Sequence, residues 1–228
     1  FKSGLHAFTR EFNVTPLGGN TVFFKKEWLE AINGWDEECL TEDADVGIRL
    51  TQLGANIEIV YDEKHATQEE TPDTVESFIK QRTRWVQGFY QIFFKMDWAK
   101  LPKLKQKIVA LYILLNSLMQ AGMLIFLPIG IYIAATQQIP VPLALLSYLP
   151  IYILFIQLVM NLIGIREFTS AYKKHLPLGF TLKMIVYYYP FQIIMAVSAL
   201  RAVFRMMVGQ AAWEKTSHSN LHRLATES

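Results

Sequence analysis

The sequence has a single cysteine, Cys39, so an internal disulfide framework is excluded and a reducing compartment fits. It has no excess of one charge: 22 Lys and Arg face 20 Asp and Glu, a balance of +2 that gives no support for nucleic-acid binding. It begins at Phe1 with no initiator Met, basic n-region or signal segment, and reads as the later part of a longer chain. No glycine-rich phosphate loop and no Asp-x-Asp pair precedes Thr41, so any phosphate-cradling half is expected upstream of Phe1. From Ile108 to Ile165 there is no Asp, Glu, Lys, Arg or His at all. A run that long without charge excludes an ordinary soluble surface.

What is present divides into two unlike parts. Residues 1–107 hold most of the charge; residues 108–209 carry only Arg166, Glu167, Lys173, Lys174, Lys183, Arg201 and Arg205 as formal charges. In the first part, Gly18-Gly19-Asn20 reads as a turn. Thr21–Phe24 reads as a short buried strand, Lys26–Asn33 as a helix stopped by Gly34, and Ile57–Tyr61 as a second strand. Thr41 is placed to cap a helix whose first turn holds Glu42 and Asp43, where the helix dipole favours negative charge. Val46, Leu50 and Leu53 give that helix its apolar stripe, and Gly54 ends it. A long helix is expected from Pro72, with Thr71 as its cap. Its later turns, with Trp85, Phe89, Ile92, Phe93, Met96 and Trp98, suit a helix lying in a membrane interface.

The second part reads as membrane. Ile108–Thr136 and Val141–Ile165 are each long enough to span, joined by uncharged Gln137-Gln138-Ile139-Pro140. Lys95, Lys100, Lys103, Lys105 and Lys107 precede the pair, and Arg166, Lys173 and Lys174 follow it. The positive-inside rule puts both basic segments in the cytoplasm. Met184–Leu200 is marginal and contains Pro190: it either spans, or breaks and returns with Arg201 and Arg205 on one face. Asn116, Gln120, Gln157 and Asn161 lie within the expected spans and either line a path or bond between helices, the latter being favoured. His218 and His222 stand at i, i+4 without an evident third ligand, so no zinc site is expected.

Chemistry concentrates at two places. Thr41-Glu42-Asp43 offers paired carboxylates at a helix start. Gln81, Arg84 and Trp85 stand at i, i+3 and i+4 and share a helix face, with Arg82 pointing off it. A carboxylate can remove a hydroxyl proton during attack on a carbon centre. Arg presents a planar fork that binds phosphate oxygens bidentately. The pair Thr41-Glu42-Asp43 and Gln81-x-x-Arg84-Trp85 resembles the TED and QxxRW motifs of membrane-embedded family-2 glycosyltransferases, the group of cellulose, hyaluronan, chitin and poly-N-acetylglucosamine synthases. Gly34-Trp35-Asp36-Glu37 resembles the loop those enzymes place before TED, and Trp213-x-Lys215-Thr216 a motif at their C-terminal side.

The resemblance covers nearly the whole chain and implies the following. Residues 1–97 would be the C-terminal half of an α/β, GT-A-like domain with an interfacial helix. Residues 98–228 would be a multi-pass region of two to three transmembrane helices. Asp43 would be the base and Glu42 its supporting partner. Gln81, Arg84 and Arg82 would hold the donor diphosphate, and Trp85, Thr41, Gly19 and Asn20 would border the acceptor. Mg²⁺ or Mn²⁺ is expected from the family, with no metal ligand in this chain, and the fragment by itself is expected to be inactive. Expected partners are a nucleotide-sugar donor, a glycan or lipid acceptor and membrane lipid, with no nucleic acid. The expected location is the bacterial inner membrane with the catalytic part cytoplasmic. The expected reaction is inverting transfer of a hexose to a growing β-linked polysaccharide. A non-processive glycolipid or lipid-linked sugar transferase is the rival, and a non-catalytic membrane subunit or small transporter a third reading.

Overall fold

The computed structural model describes residues 9, 11–15, 17–18, 21–60, 62–65, 67, 71–137, 140, 142, 149–210 and 212–214. Six helices carry the architecture: α1 (Lys26–Ala31), α2 (Glu42–Gln52), α3 (Val75–Lys95), α4 (Leu104–Thr136), α5 (Leu149–Ala171) and α6 (Leu178–Met207), with a 3₁₀ turn at Asp97–Lys100. α1 and α2 stop where the sequence places glycine. Gly34 (φ +78°) and Gly54 (φ +79°) take left-handed conformations that other residues resist. α3 starts later than Pro72: Thr74 is its cap, accepting from the Ser77 N–H at 3.1 Å.

The α/β expectation is overturned: among the described residues there is no strand. Thr21–Phe24 is irregular and its Phe23 is 93% exposed, the reverse of a buried strand. Residues 57–60 carry no ladder either. A strand requires a neighbour for its N–H and C=O groups. At the start of the second segment the Asn13 side chain takes that place, donating Nδ2 to the Ala55 carbonyl (2.8 Å) and accepting the Ile57 N–H at Oδ1 (3.0 Å).

Packing joins the helices into one body. Val14, Cys39, Ala44 and Ile48 meet Ile92 and Leu101 and the first turns of α4 at Val109, Ala110, Ile113 and Leu114. The expected first span is therefore divided: its beginning is protein core, and the Gln106 Nε2 donates to the Phe12 carbonyl (3.0 Å). Beyond it, Leu104–Gly122 and Leu124–Thr136 are bent by 42°. Pro128 accounts for the bend, because it has no N–H for the Leu124 carbonyl. Val86 and Tyr90 of α3 pack with Ala121 of α4 and Ala196, Ala199 and Ala202 of α6. That alanine stripe lets α6 lie close along α3. The expected interfacial helix is thus built between α2, α4 and α6, with Thr83, Val86, Gln87, Gly88, Tyr90 and Ile92 buried.

α6 is continuous through Pro190 and is long and apolar enough to cross a membrane; the two halves of α4 pass the same test together. α5 is without charge from Leu149 to Ile165 and exposes Phe155, Ile156 and Met160, as α4 exposes Ile125, Phe126 and Ile129. Asn116 Oδ1 and Gln157 Nε2 approach at 3.5 Å between α4 and α5. The α5–α6 turn is tied to the charged part by a Lys174–Glu63 ion pair of 2.6 Å. The start of α4 and the end of α5 therefore lie on the same side.

Candidate functional site

The site is built where α2 begins and α3 passes it. α2 opens on Glu42 and Asp43, both half-buried. Asp43 Oδ1 accepts the N–H of Ala44 at 2.8 Å, which fixes its carboxylate at the helix end. Thr41 precedes them but does not cap with its side chain; it is buried, and its Oγ1 has no hydrogen-bond partner among the described residues. Thr41 instead faces Gly88 of α3. A Cβ at Gly88 would stand 2.3 Å from Thr41 Oγ1 and 2.7 Å from its methyl carbon. Gly88 is the reason the two motifs can approach. Gly88→Ala is expected to cost roughly 1–3 kcal/mol by overpacking and to lower turnover by shifting Thr41 and its neighbours. Thermal melting of the purified full-length protein checks it, and a variant as stable and active as wild type would contradict the contact.

Arg84 lies on the same side of α3. Burial lowers its pKa from the usual value, while the nearby charges of Glu42 and Asp43 act in the opposite direction. The two sequence motifs therefore share one electrostatic site. The guanidinium carbon of Arg84 sits 4.0 Å from the centroid of the Trp213 ring, and its buried Nε has no hydrogen-bond partner among the described residues. Trp85 is half-buried. Arg82 does not turn away from it as spacing suggests: its guanidinium lies 4.1 Å from the Trp85 ring and 4.6 Å from the Phe78 ring. Gln81 is half-buried one turn before Trp85. Gly19, Asn20, Lys215, Thr216, His218 and His222 lie outside the described residues.

Sequence reasoning missed the supports around this site. Asp45 is fully buried and pairs with Arg49 Nε (2.8 Å) and Lys95 Nζ (2.9 Å). Arg49 also donates to the carbonyls of Ile32 (2.6 Å) and Gly34 (2.8 Å). Lys95 bonds Asp36 as well, so the Gly34–Glu37 loop is clamped between α2 and α3. The hydrogen bond to Lys95 holds the Asp36 carboxyl below its ordinary range. Burial works against the Lys95 charge, but its bonds to Asp36 and Asp45 raise its pKa overall. Gln91 accepts the Leu40 N–H (2.9 Å) and donates to the Glu38 carbonyl (3.1 Å), which sets the approach to Thr41. The signal was available as the spacing of Arg84, Gln87, Gln91 and Lys95, one polar edge along α3.

A second missed network holds Trp213 over Arg84. Arg201 makes a two-bond fork to Glu214 (2.7 and 2.6 Å), and Arg205 Nη1 reaches the same carboxylate at 2.9 Å. Arg205 also donates Nε to Gln87 Oε1 (3.0 Å) and Nη2 to the Ala212 carbonyl (2.8 Å), while Gln87 Nε2 donates to the Gln210 carbonyl (2.7 Å). Its hydrogen bonds to Arg201 hold the Glu214 carboxyl below the ordinary 4.5. A depressed folded-state pKa contributes stability above the unfolded value and loses it as pH falls through the folded one. Docking of Gln210 and of 212–214 is therefore expected to persist at neutral pH and to weaken on acidification below about 4.5. Acid titration of Trp fluorescence, compared with Trp213→Phe, reads this. A Trp213 signal that does not change over that range would contradict it.

Cys39 is buried and burial pushes its thiol pKa up, which makes it inert as a nucleophile. Burial pushes Tyr90 up to about 12, so it stays protonated.

Comparison with known proteins shows the family. Residues 5–206 match the family described as glycosyl transferase family group 2. The chain belongs to that family. It is similar to a poly-beta-1,6-N-acetyl-D-glucosamine synthase of Staphylococcus epidermidis, 25% identical over 224 residues that cover 92% of this chain and 52% of that protein. A second synthase of that name and species is 31% identical over 102 residues, 45% of this chain and 24% of its own. A beta-monoglucosyldiacylglycerol synthase of Trichormus variabilis is 36% identical over 78 residues, 34% of this chain and 16% of its own. The chain thus spans about half or less of the curated relatives it matches. No solved structure matches it. A divalent ion is expected by family resemblance. Among the described residues no three His, Cys, Asp or Glu side chains come together to hold one.

Proposed function

We propose that this family member takes part in inverting transfer of a hexose from a nucleotide sugar to the hydroxyl of a growing β-linked polysaccharide at a membrane. Asp43 removes the acceptor hydroxyl proton as that oxygen attacks the anomeric carbon. The bond from that carbon to the diphosphate breaks, and the negative charge gathers on the leaving nucleoside diphosphate beside Arg84. Glu42 supports Asp43, Gln81 and Arg82 assist Arg84, and Trp85, with Thr41, offers the acceptor side; Gly19 and Asn20 are assigned to the acceptor by family resemblance alone. Residues 1–97 carry this chemistry and 98–228 hold it at the bacterial inner membrane, with the catalytic part in the cytoplasm. The observation that carries the reading is Arg84: a half-buried cation whose Nε lacks a partner among the described residues, in the field of Glu42 and Asp43. An anionic ligand that brings acceptor oxygens would satisfy it.

The second reading, transfer of a single sugar to a lipid, is favoured by the similarity to a beta-monoglucosyldiacylglycerol synthase. The test is the fate of radiolabelled sugar in membranes carrying the full-length protein. Label that stays in the aqueous phase as material of high mass supports polymer synthesis. Label that extracts into organic solvent at the mass of one or two sugars on a lipid rejects it in favour of the second reading.

A further inference from the structure

An apolar crevice of about 280 Å³ opens between α5 and α6, lined by Leu158, Leu162 and Ile165 on one side and Met184, Tyr187 and Phe191 on the other. Two of the polar groups in its wall already have partners. Asn161 Nδ2 donates to the Gln157 carbonyl (2.8 Å) and Tyr188 Oη to the Leu154 carbonyl (3.1 Å). A sugar chain would find few free partners there, and its hydroxyls would be desolvated without compensation. An alkyl chain would not.

The crevice has one charged end. Arg166 follows Leu162 by four residues and Lys183 precedes Tyr187 by four, so each continues the lining face of its helix toward the α5–α6 turn. Both are exposed, and neither has an ion-pair partner among the described residues. Lys173 and His175 stand exposed in the turn, Lys174 is engaged with Glu63, and Glu167 is the one acidic residue between Lys100 and Trp213. The Lys174–Glu63 pair puts this basic end on the side of the candidate site.

We infer that the α5–α6 crevice binds one acyl chain of an anionic glycerophospholipid, with the headgroup phosphate held by Arg166 and Lys183. The inference rests on reading α5 and α6 as membrane helices. Apolar walls select the chain, and the two cations select the headgroup charge.

The test uses full-length protein in phosphatidylcholine vesicles that contain a trace of phosphatidylglycerol bearing a photoreactive acyl chain. A parallel sample contains the phosphatidylcholine version of the same probe. Labelled peptides are mapped by mass spectrometry. The expected result is labelling at 158–165 and 184–191 by the anionic probe, stronger than by the neutral one. Labelling falls roughly tenfold or more in the Arg166→Gln, Lys183→Gln double variant. Leu162→Trp, which fills the crevice and leaves both charges, also lowers it. Equal labelling by the two probes would overturn headgroup selection and leave a neutral lipid as occupant. Labelling confined to outward residues such as Phe155, Ile156 and Val186 would overturn the crevice while keeping the membrane reading. No labelling anywhere on α5 or α6 would overturn both.

Discussion

Asp43→Asn in the intact protein is expected to lower turnover by roughly 10²–10⁴-fold, the range set by loss of a general base, with little effect on folding. The separation of these two effects follows from the local geometry. Asp43 Oδ1 accepts the Ala44 N–H at 2.8 Å, and an Asn side chain keeps a carbonyl oxygen for that bond. Asp43 is half-buried and forms no ion pair among the described residues, so no buried partner is stranded. The helix start loses a negative charge, worth about 0.3–1 kcal/mol. The amide cannot take the acceptor proton at working pH. Glu42→Gln is expected to have a smaller effect, because Glu42 supports the base and does not replace it. Turnover and melting temperature measured on the same preparation check both parts. An Asp43→Asn protein that folds and turns over like wild type would remove Asp43 from the mechanism.

Arg84→Ala is expected to cost roughly 10²–10³-fold in turnover, as for other groups that meet charge developing in the transition state. Arg84→Lys is expected to recover little of it. A lysine offers a point charge, whereas guanidinium binds two phosphate oxygens at fixed geometry and stacks on an aromatic face. The stack is present here, at 4.0 Å from the Trp213 ring centroid. The effect has a second signature. Inhibition by the released nucleoside diphosphate is expected to weaken in both variants, because the product carries the charge that Arg84 meets. Product inhibition with unchanged strength alongside reduced turnover would assign Arg84 a packing role. Arg84→Lys at full activity would contradict the account of the fork.

The helices around the site could be read from sequence because their signals are local. Gly34 and Gly54 end α1 and α2 through positive φ, and the Val46–Leu50 stripe faces the core formed with Ile32 and Ala55. The strands could not be read correctly. Thr21–Phe24 and 57–60 have suitable residues, but strand formation depends on a partner, and Asn13 fills that place near 57. The first expected span joins two environments that hydropathy does not separate. Apolar residues packed on α2 and apolar residues facing lipid look alike in a hydropathy pattern, and Val109–Leu114 belong to the former.

At the site, the carboxylates and Arg84 were legible as motifs, whereas what aligns them was not. Gly88 matters through a contact with Thr41, 47 positions away in the chain, and Glu214 matters through Arg201 and Arg205. Such roles depend on residues distant in sequence, and spacing along one helix does not reveal them.

The most direct measurement is nucleotide release by the full-length protein in detergent, with UDP-glucose, UDP-N-acetylglucosamine and GDP-mannose offered separately with Mg²⁺ or Mn²⁺, comparing wild type and Asp43→Asn. The account predicts release from one donor by wild type and its loss in the variant. Release that the variant retains in full, or folded wild-type protein that releases nucleotide from no sugar donor when acceptor is supplied, would contradict it.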